Sequence, residues 1–317
     1  MPASARPRPR DRTVRHHLAV LALALALPAT LFVGVLLWRL ADVERTRLEG
    51  QAFSVARAAA LAVDRELAGL VSTVEVVSLL DSLRTGDLQA FDAQARAVRE
   101  RTGINVVLRD LSGQQLVNTR LPWGEPLPKA LLPSFDAEAL RAGRPVVSDV
   151  VVGAVTRTPL FAVGRPVPRG GGDGEAAYLL NLSLPADRIR RALAEELASR
   201  AVPADWTVAV VDRAGLILAR SRAHEEFVGK PATRDLQDAT QEGQEGAWRG
   251  TTADGQAVFG AFARSRLSGW RVAVGVPEGA LAVPLRQALL LLGALGTGLA
   301  ALSAPLALLL GRRISRP

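Results

Sequence analysis

Cysteine is absent from the 317 residues, which excludes disulfide frameworks, thiolate metal sites, iron–sulfur clusters and cysteine nucleophiles. Histidine is nearly absent too: His16 and His17 stand side by side in a basic tail, leaving His224 as the one histidine placed for catalysis or metal binding. A histidine-based triad or multi-histidine zinc site therefore has no support, and neither G-x-S-x-G nor H-E-x-x-H occurs. No cofactor or metal is expected. With 49% apolar and 22% charged residues the chain is too apolar for disorder and too mixed for a polytopic transporter.

Charge is missing from two stretches, and these partition the chain. Leu18 to Trp38 is a run of 21 uncharged residues, enough for roughly 32 Å of helix, the thickness of a bilayer core. It is longer than a signal-peptide apolar region and no small-x-small site follows it, so an uncleaved anchor is expected. A second run, Ala288 to Gly311, carries 24 uncharged residues, and its Pro305 kinks a spanning helix without excluding it. The short tails outside these runs hold eight arginines (Arg6, Arg8, Arg10, Arg12, Arg15, Arg312, Arg313 and Arg316) against Asp11. Both tails are thereby predicted to be cytoplasmic. Removing them from 39 basic and 31 acidic residues leaves 31 against 30, so the net charge of +8 reports topology rather than nucleic-acid binding. Arg39 to Arg286 becomes an extracytoplasmic domain of 248 residues.

After the first run, Leu48, Ala52, Val55, Ala59, Val63, Leu67, Leu70, Val74 and Val77 recur at steps of three and four, one face of a long helix. The spacing predicts a helix to about Ser82, broken by Gly86, and a second over Asp87 to Arg101, ended by Gly103. A duplication follows at an offset of 102: Val106 aligns with Val208, Asp110 with Asp212, Gly113 with Gly215, Leu116 with Leu218 and Arg120 with Arg222. Each copy reads as strand, D-x-x-G turn, strand, with the aspartate accepting turn amides and the glycine supplying a positive φ; a turn role accounts for both aspartates without catalysis. Tyr178 to Pro185 and Trp270 to Pro277 close the copies alike, an aromatic residue seven positions before a proline. Ala186 to Ser199 reads as an amphipathic helix and Gly170 to Gly174 as a hairpin loop, without the G-x-G-x-x-G order of a phosphate cradle. Trp206, Trp248 and Trp270 are expected as core anchors of the second copy.

This organisation resembles the double Cache, PAS-like sensory domains of bacterial receptors, and Val211–Gly215, Ala219–Ser221, Phe227–Gly229 and Gly269–Pro277 are similar to the membrane-proximal module on sensor histidine kinases. Gly311 to Pro317 resembles the opening of a HAMP linker. The resemblance implies an α+β chain: a cytoplasmic tail (1–17), a membrane helix (18–38), a stalk and second helix (39–103), a membrane-distal antiparallel-sheet module (104–185), a connecting helix (186–205), a membrane-proximal module (206–277), a linker with the second membrane helix (278–311) and the start of HAMP (312–317). It implies a sensor in the bacterial inner membrane, non-enzymatic in the residues present, with a histidine kinase as output in further polypeptide and a diguanylate cyclase or chemotaxis transducer as alternatives. The rival from another class is an envelope adaptor that docks a protein partner. Gly293, Thr297 and Ala301, with Ala294 and Gly298, space small residues along the second run in a way that suits a homodimer.

The expected ligand is a small molecule in the distal module. Strand parity puts Asn118 and Arg120 on one face and Asp149 on the face of Val147 and Val151, while Trp123, Thr156, Arg157 and Asn181 fall where loops close over that sheet. Arginine with aspartate suits a zwitterion or a small carboxylate. The aromatic-rich pattern of amino-acid-binding Cache domains is not matched, Tyr178 being the chain's one tyrosine. His224, followed by Glu225 and Glu226 in a loop-like segment, reads as a solvated loop histidine, with a pH-sensitive group as the alternative.

Overall fold

The computed structural model describes residues 10–169 and 174–281, and beyond them Arg286, Leu289, Leu290, Gly293 and Ala294. Two compact units emerge, one of residues 1–48 with 279–317 and one of Glu49–Glu278. Among the described residues no helix is long and apolar enough to cross a membrane. The side chains of the first uncharged run before Pro28, most of the second run, both basic tails up to Pro9 and from Arg312, and the loop residues 170–173 lie outside the described residues.

Helix α1 (Arg10–Ser78) carries the stalk periodicity. Ala52, Val55, Ala59, Val63, Leu67, Leu70, Val74 and Val77 are all buried on its inner face, where each large aliphatic side chain contributes about 1.5–3 kcal/mol. The helix stops four residues earlier than its pattern predicts. Leu80 turns extended (φ −60°, ψ 130°) and a short α2 (Asp81–Thr85) restarts, capped by Gly86 in the left-handed region. The break leaves Leu79 exposed and puts Leu83 fully into the core, so burial decides the boundary. α3 (Leu88–Thr102) begins at Asp87, whose side chain accepts from the Ala90 amide, and ends at Gly103.

The first module contains β1 (Asn105–Asp110), β2 (Gln115–Asn118), α4 (Pro133–Ala142), β3 (Val146–Val147), β4 (Val151–Val152), β5 (Pro159–Pro168) and β6 (Ala176–Pro185). Its antiparallel sheet runs β2-β1-β6-β5-β3, with β4 also pairing β5. α5 (Asp187–Ser199) leads to the second module: β7 (Thr207–Val211), β8 (Ile217–Arg220), α6 (His224–Phe227), α7 (Arg234–Ala239), β9 (Glu245–Thr251), β10 (Ala257–Arg264) and β11 (Arg271–Pro277). The order there is β8-β7-β11-β10-β9, the same wiring.

The duplication runs deeper than the aligned letters. Asp110 accepts the Ser112 and Gln114 amides at 2.8 and 3.0 Å, and Asp212 accepts that of Leu216 at 2.7 Å. Gly113 and Gly215 sit at φ 84° and 87°. The ladders bulge at Leu108/Arg109 and at Val210/Val211, again 102 apart. Thr119 and Ser221 use their hydroxyls alike, accepting the Val106 and Val208 amides at 3.0 Å. Trp206, Trp248 and Trp270 are buried, and Trp270 meets Phe161 of the first module edge-to-face, ring centroids 5.4 Å apart. α1 is tied to the second module and to α5: Asp64 accepts the Ser265 hydroxyl at 2.5 Å, Arg57 makes a bidentate pair with Glu245, and Glu66 pairs with Arg188 of α5.

Candidate ligand site

The two modules share a fold but differ inside. In the second, Arg220 fills the space over the sheet, pairing with Asp254 at 2.5 Å and lying 4.6 Å over the Phe227 ring. A void of about 30 Å³ remains, lined by Thr207, Leu236 and Trp248 among others; that is room for a water, not a metabolite. In the first module the corresponding face holds a cavity of about 290 Å³.

Its floor follows from strand parity. Asn105, Val107 and Arg109 of β1 point to one face, joined by Asn118 opposite Val107, by Asn181 opposite Val107 and by Ser183 opposite Asn105. The other face carries Val106, Leu108, Leu180, Leu182 and Leu184, all buried apolar. Asn105, Arg109, Gln115, Asn118 and Asn181 are also buried, so this module contains a buried polar layer above an apolar one. Gly164 makes room for it: a Cβ there would meet the Asn181 amide at 2.1 Å.

Buried polar groups must be paired, and most of these are. Arg109, 1% exposed, donates to both Asp136 oxygens at 3.0 and 2.5 Å and to the Ala130 carbonyl at 2.7 Å. The Asn181 amide, oriented by this network, accepts from Arg109 Nε and Nη2 at 2.8 and 2.9 Å. Asn118 donates to Gln115 at 2.8 Å and accepts the Arg120 amide at 3.0 Å. Two groups at the cavity differ. The Thr156 hydroxyl is buried without a partner, and the half-buried Arg120 guanidinium makes no hydrogen bond among the described residues. Burial first, and then the Arg99 charge, lower the Arg120 pKa below its ordinary value.

Four of the seven residues picked out from sequence therefore converge on the cavity: Asn118, Arg120, Thr156 and Asn181. Three do not. Trp123 is 46% exposed and Arg157, at φ 55°, is an exposed turn residue; neither lines the cavity. Asp149 is taken by the second module: Arg213 donates to it from both its amide and Nε at 3.0 Å, and also reaches Glu138 and the Val147 carbonyl. Beside it the Val150 amide donates to Asp212 at 2.8 Å. Asp212 is fully buried, and burial raises its pKa against the pull of those amides. The cavity wall Val151–Thr156 is thus the direct continuation of a segment gripped by the second module's D-x-x-G turn.

Sequence reasoning missed Asn105, Arg109, Gln115, Lys129 and Ser183 on the lining. The available signal was a charge and an amide at like parity inside an otherwise apolar strand. His224 opens α6 instead of lying in a loop; its Nδ1 is buried without a partner, and burial followed by Arg190 lowers its pKa below 6.5.

No protein-family model and no curated protein matches the chain. Solved structures do. The ligand-binding domain of the Campylobacter jejuni chemoreceptor Tlp3, in complex with 4-methylisoleucine, superposes with a TM-score of 0.57 at 13% identity, covering 74% of this chain and 93% of its own. The chain shares the fold of that domain. The domain of the Pseudomonas fluorescens chemoreceptor CtaA, in complex with L-serine, gives 0.57 at 14% identity, over 74% of this chain and 99% of that one. The extracellular domain of the putative histidine kinase rpHK1S-Z16 gives 0.52 at 16%, over 76% and 97%. The likeness is one of fold; the hollow first module and the filled second are read from this chain's own residues.

Proposed function

We propose that this chain is the extracytoplasmic, ligand-sensing input region of a two-pass receptor in the bacterial inner membrane, with both termini cytoplasmic and a small molecule bound in the first module. The observation that carries this reading is the contrast between the 290 Å³ polar cavity of the first module and the Arg220-filled second. A docking adaptor has no use for a hollow, amide-lined interior. The arginine-rich tails around two uncharged runs support the topology. The resemblance of Val211–Gly215, Ala219–Ser221, Phe227–Gly229 and Gly269–Pro277 to the module of sensor histidine kinases favours a kinase as output, while the likeness to Tlp3 and CtaA favours a chemotaxis transducer as the second reading. The small-residue spacing of the second run supports a homodimer. Near-neutral charge between the runs argues against nucleic acid.

Screening a metabolite library by thermal shift on the full chain in lipid nanodiscs tests the reading. A ligand at about a hundred times its Kd adds about 2.7 kcal/mol, which raises the midpoint by roughly 5–10 °C for a domain of this size. Ser183→Phe, filling the cavity floor, should abolish that rise while keeping the circular dichroism of the parent. Hits that survive Ser183→Phe, or a library without hits, contradict the proposal.

A further inference from the structure

The cavity's charge is one-sided. Its lining includes Arg109, Arg120 and Lys129 but no aspartate or glutamate. Acids close by are engaged elsewhere: Asp136 accepts Arg109 with both oxygens and the Leu132 amide at 3.1 Å, Asp149 accepts Arg213, and Asp110, near Lys129, accepts the amides of its own turn, while Glu100 lies near Arg120 outside the cavity lining. Arg109 is spent in turn, since Asp136, Ala130 and Asn181 take its five N–H groups. What remains to meet a ligand is the Arg120 fork, the Lys129 ammonium at the exposed rim, the amides of Asn105, Gln115 and Asn118, and the unpartnered Thr156 hydroxyl.

Accordingly, resting on the reading of this cavity as the sensory site, we infer that it takes a small carboxylate without an ammonium group, such as a 2-hydroxy or 2-oxo acid, and discriminates against the zwitterionic amino acid of the same shape. A carboxylate on Arg120 gains charge-assisted, bidentate hydrogen bonds and offsets the repulsion between Arg120 and Arg99. An ammonium in the same place would be desolvated among cations with no counter-charge in the lining, which is the costly case. A hydroxyl or keto oxygen at that carbon is instead served by the amides and by Thr156, groups that neither gain nor lose from a charge. The hydroxyl buried without a partner becomes paired when the ligand arrives.

Calorimetry on the full chain in nanodiscs decides this with matched pairs: lactate and alanine, 2-hydroxyisovalerate and valine, 2-hydroxyisocaproate and leucine, malate and aspartate. At least one hydroxy acid should bind saturably, at least about tenfold tighter than its amino acid. Arg120→Gln should weaken it about tenfold or more, and Arg120→Lys, which keeps the charge but not the fork, by less. Ser183→Phe should abolish it. An amino acid that binds as tightly as its hydroxy acid and is lost in Ser183→Phe overturns the ligand class while leaving the sensory reading intact. Unchanged affinity in a folded Arg120→Gln, or no binding by any hydroxy acid, also overturns the class; the library screen then judges the sensory reading separately.

Discussion

Replacing Arg109 by alanine should destabilise the domain by about 3–5 kcal/mol, the cost of leaving one half of a buried ion pair behind. The side chain is almost wholly out of solvent and organises three elements at once: Asp136 of α4, the Ala130 carbonyl ahead of it and Asn181 of β6. Its loss strands a carboxylate at the edge of the cavity and leaves the Asn181 oxygen without its donors. Asp136→Ala should cost a similar amount. The apolar double variant Arg109→Met with Asp136→Leu should cost less than either single change, because no buried charge is left unpaired. Urea unfolding of the four proteins measures this. A single variant within about 1 kcal/mol of the parent would mean that the pair is not part of the buried layer.

Asp212→Ala is expected to act on stability and on communication together. Asp212 accepts the Leu216 amide of its own turn and the Val150 amide of the first module. Removing it orphans two donors at about 1–3 kcal/mol each where they are buried. Arg213→Ala should cost about 1 kcal/mol or less, since its pairs with Glu138 and Asp149 are partly solvated. Both variants cut the link between the cavity wall and β7, which pairs with β11, the strand that ends at Pro277 just ahead of the linker to the second uncharged run. In each, ligand should still raise the thermal midpoint while the response of a fused output domain is lost. Burial sets the pH dependence: the raised folded pKa of Asp212 means the folded state holds its proton more tightly than the unfolded chain. The stabilisation from protonated Asp212 is therefore present at pH below 3.8 and is lost as pH rises through the folded value. Asp212→Asn should remove that slope. An Asp212→Ala protein as stable as the parent and fully coupled would contradict the relay.

Local order was legible where it is written in periodicity and turn chemistry. The α1 face, the caps at Asp87 and Gly103, both D-x-x-G turns and the 102-residue repeat all depend on neighbours close in sequence. The break at Leu79–Leu80 was not, because it is decided by where Leu83 can be buried and not by a breaker residue. For the site, parity placed Asn118 and Arg120 on one face and loop position brought in Asn181, but neither says which face is hollow. That depends on Arg220 filling one module while Arg109, folded back onto Asp136, leaves the other open. Asp149 was not legible in this way: its partner Arg213 lies 64 residues away in the other module, a pairing that no local pattern marks.

The sensory reading requires that ligand bound in the first module be felt in the second through the Asp149–Val150 and Asp212–Arg213 contact. Hydrogen–deuterium exchange on the full chain in nanodiscs, with and without the compound giving the largest thermal shift, tests it most directly. Slowed exchange is expected in β1, β6 and 151–156, with a smaller change at 212–216 and none in the Arg220-filled interior at 248–254. Protection confined to 217–254, with the first module unchanged, would contradict it.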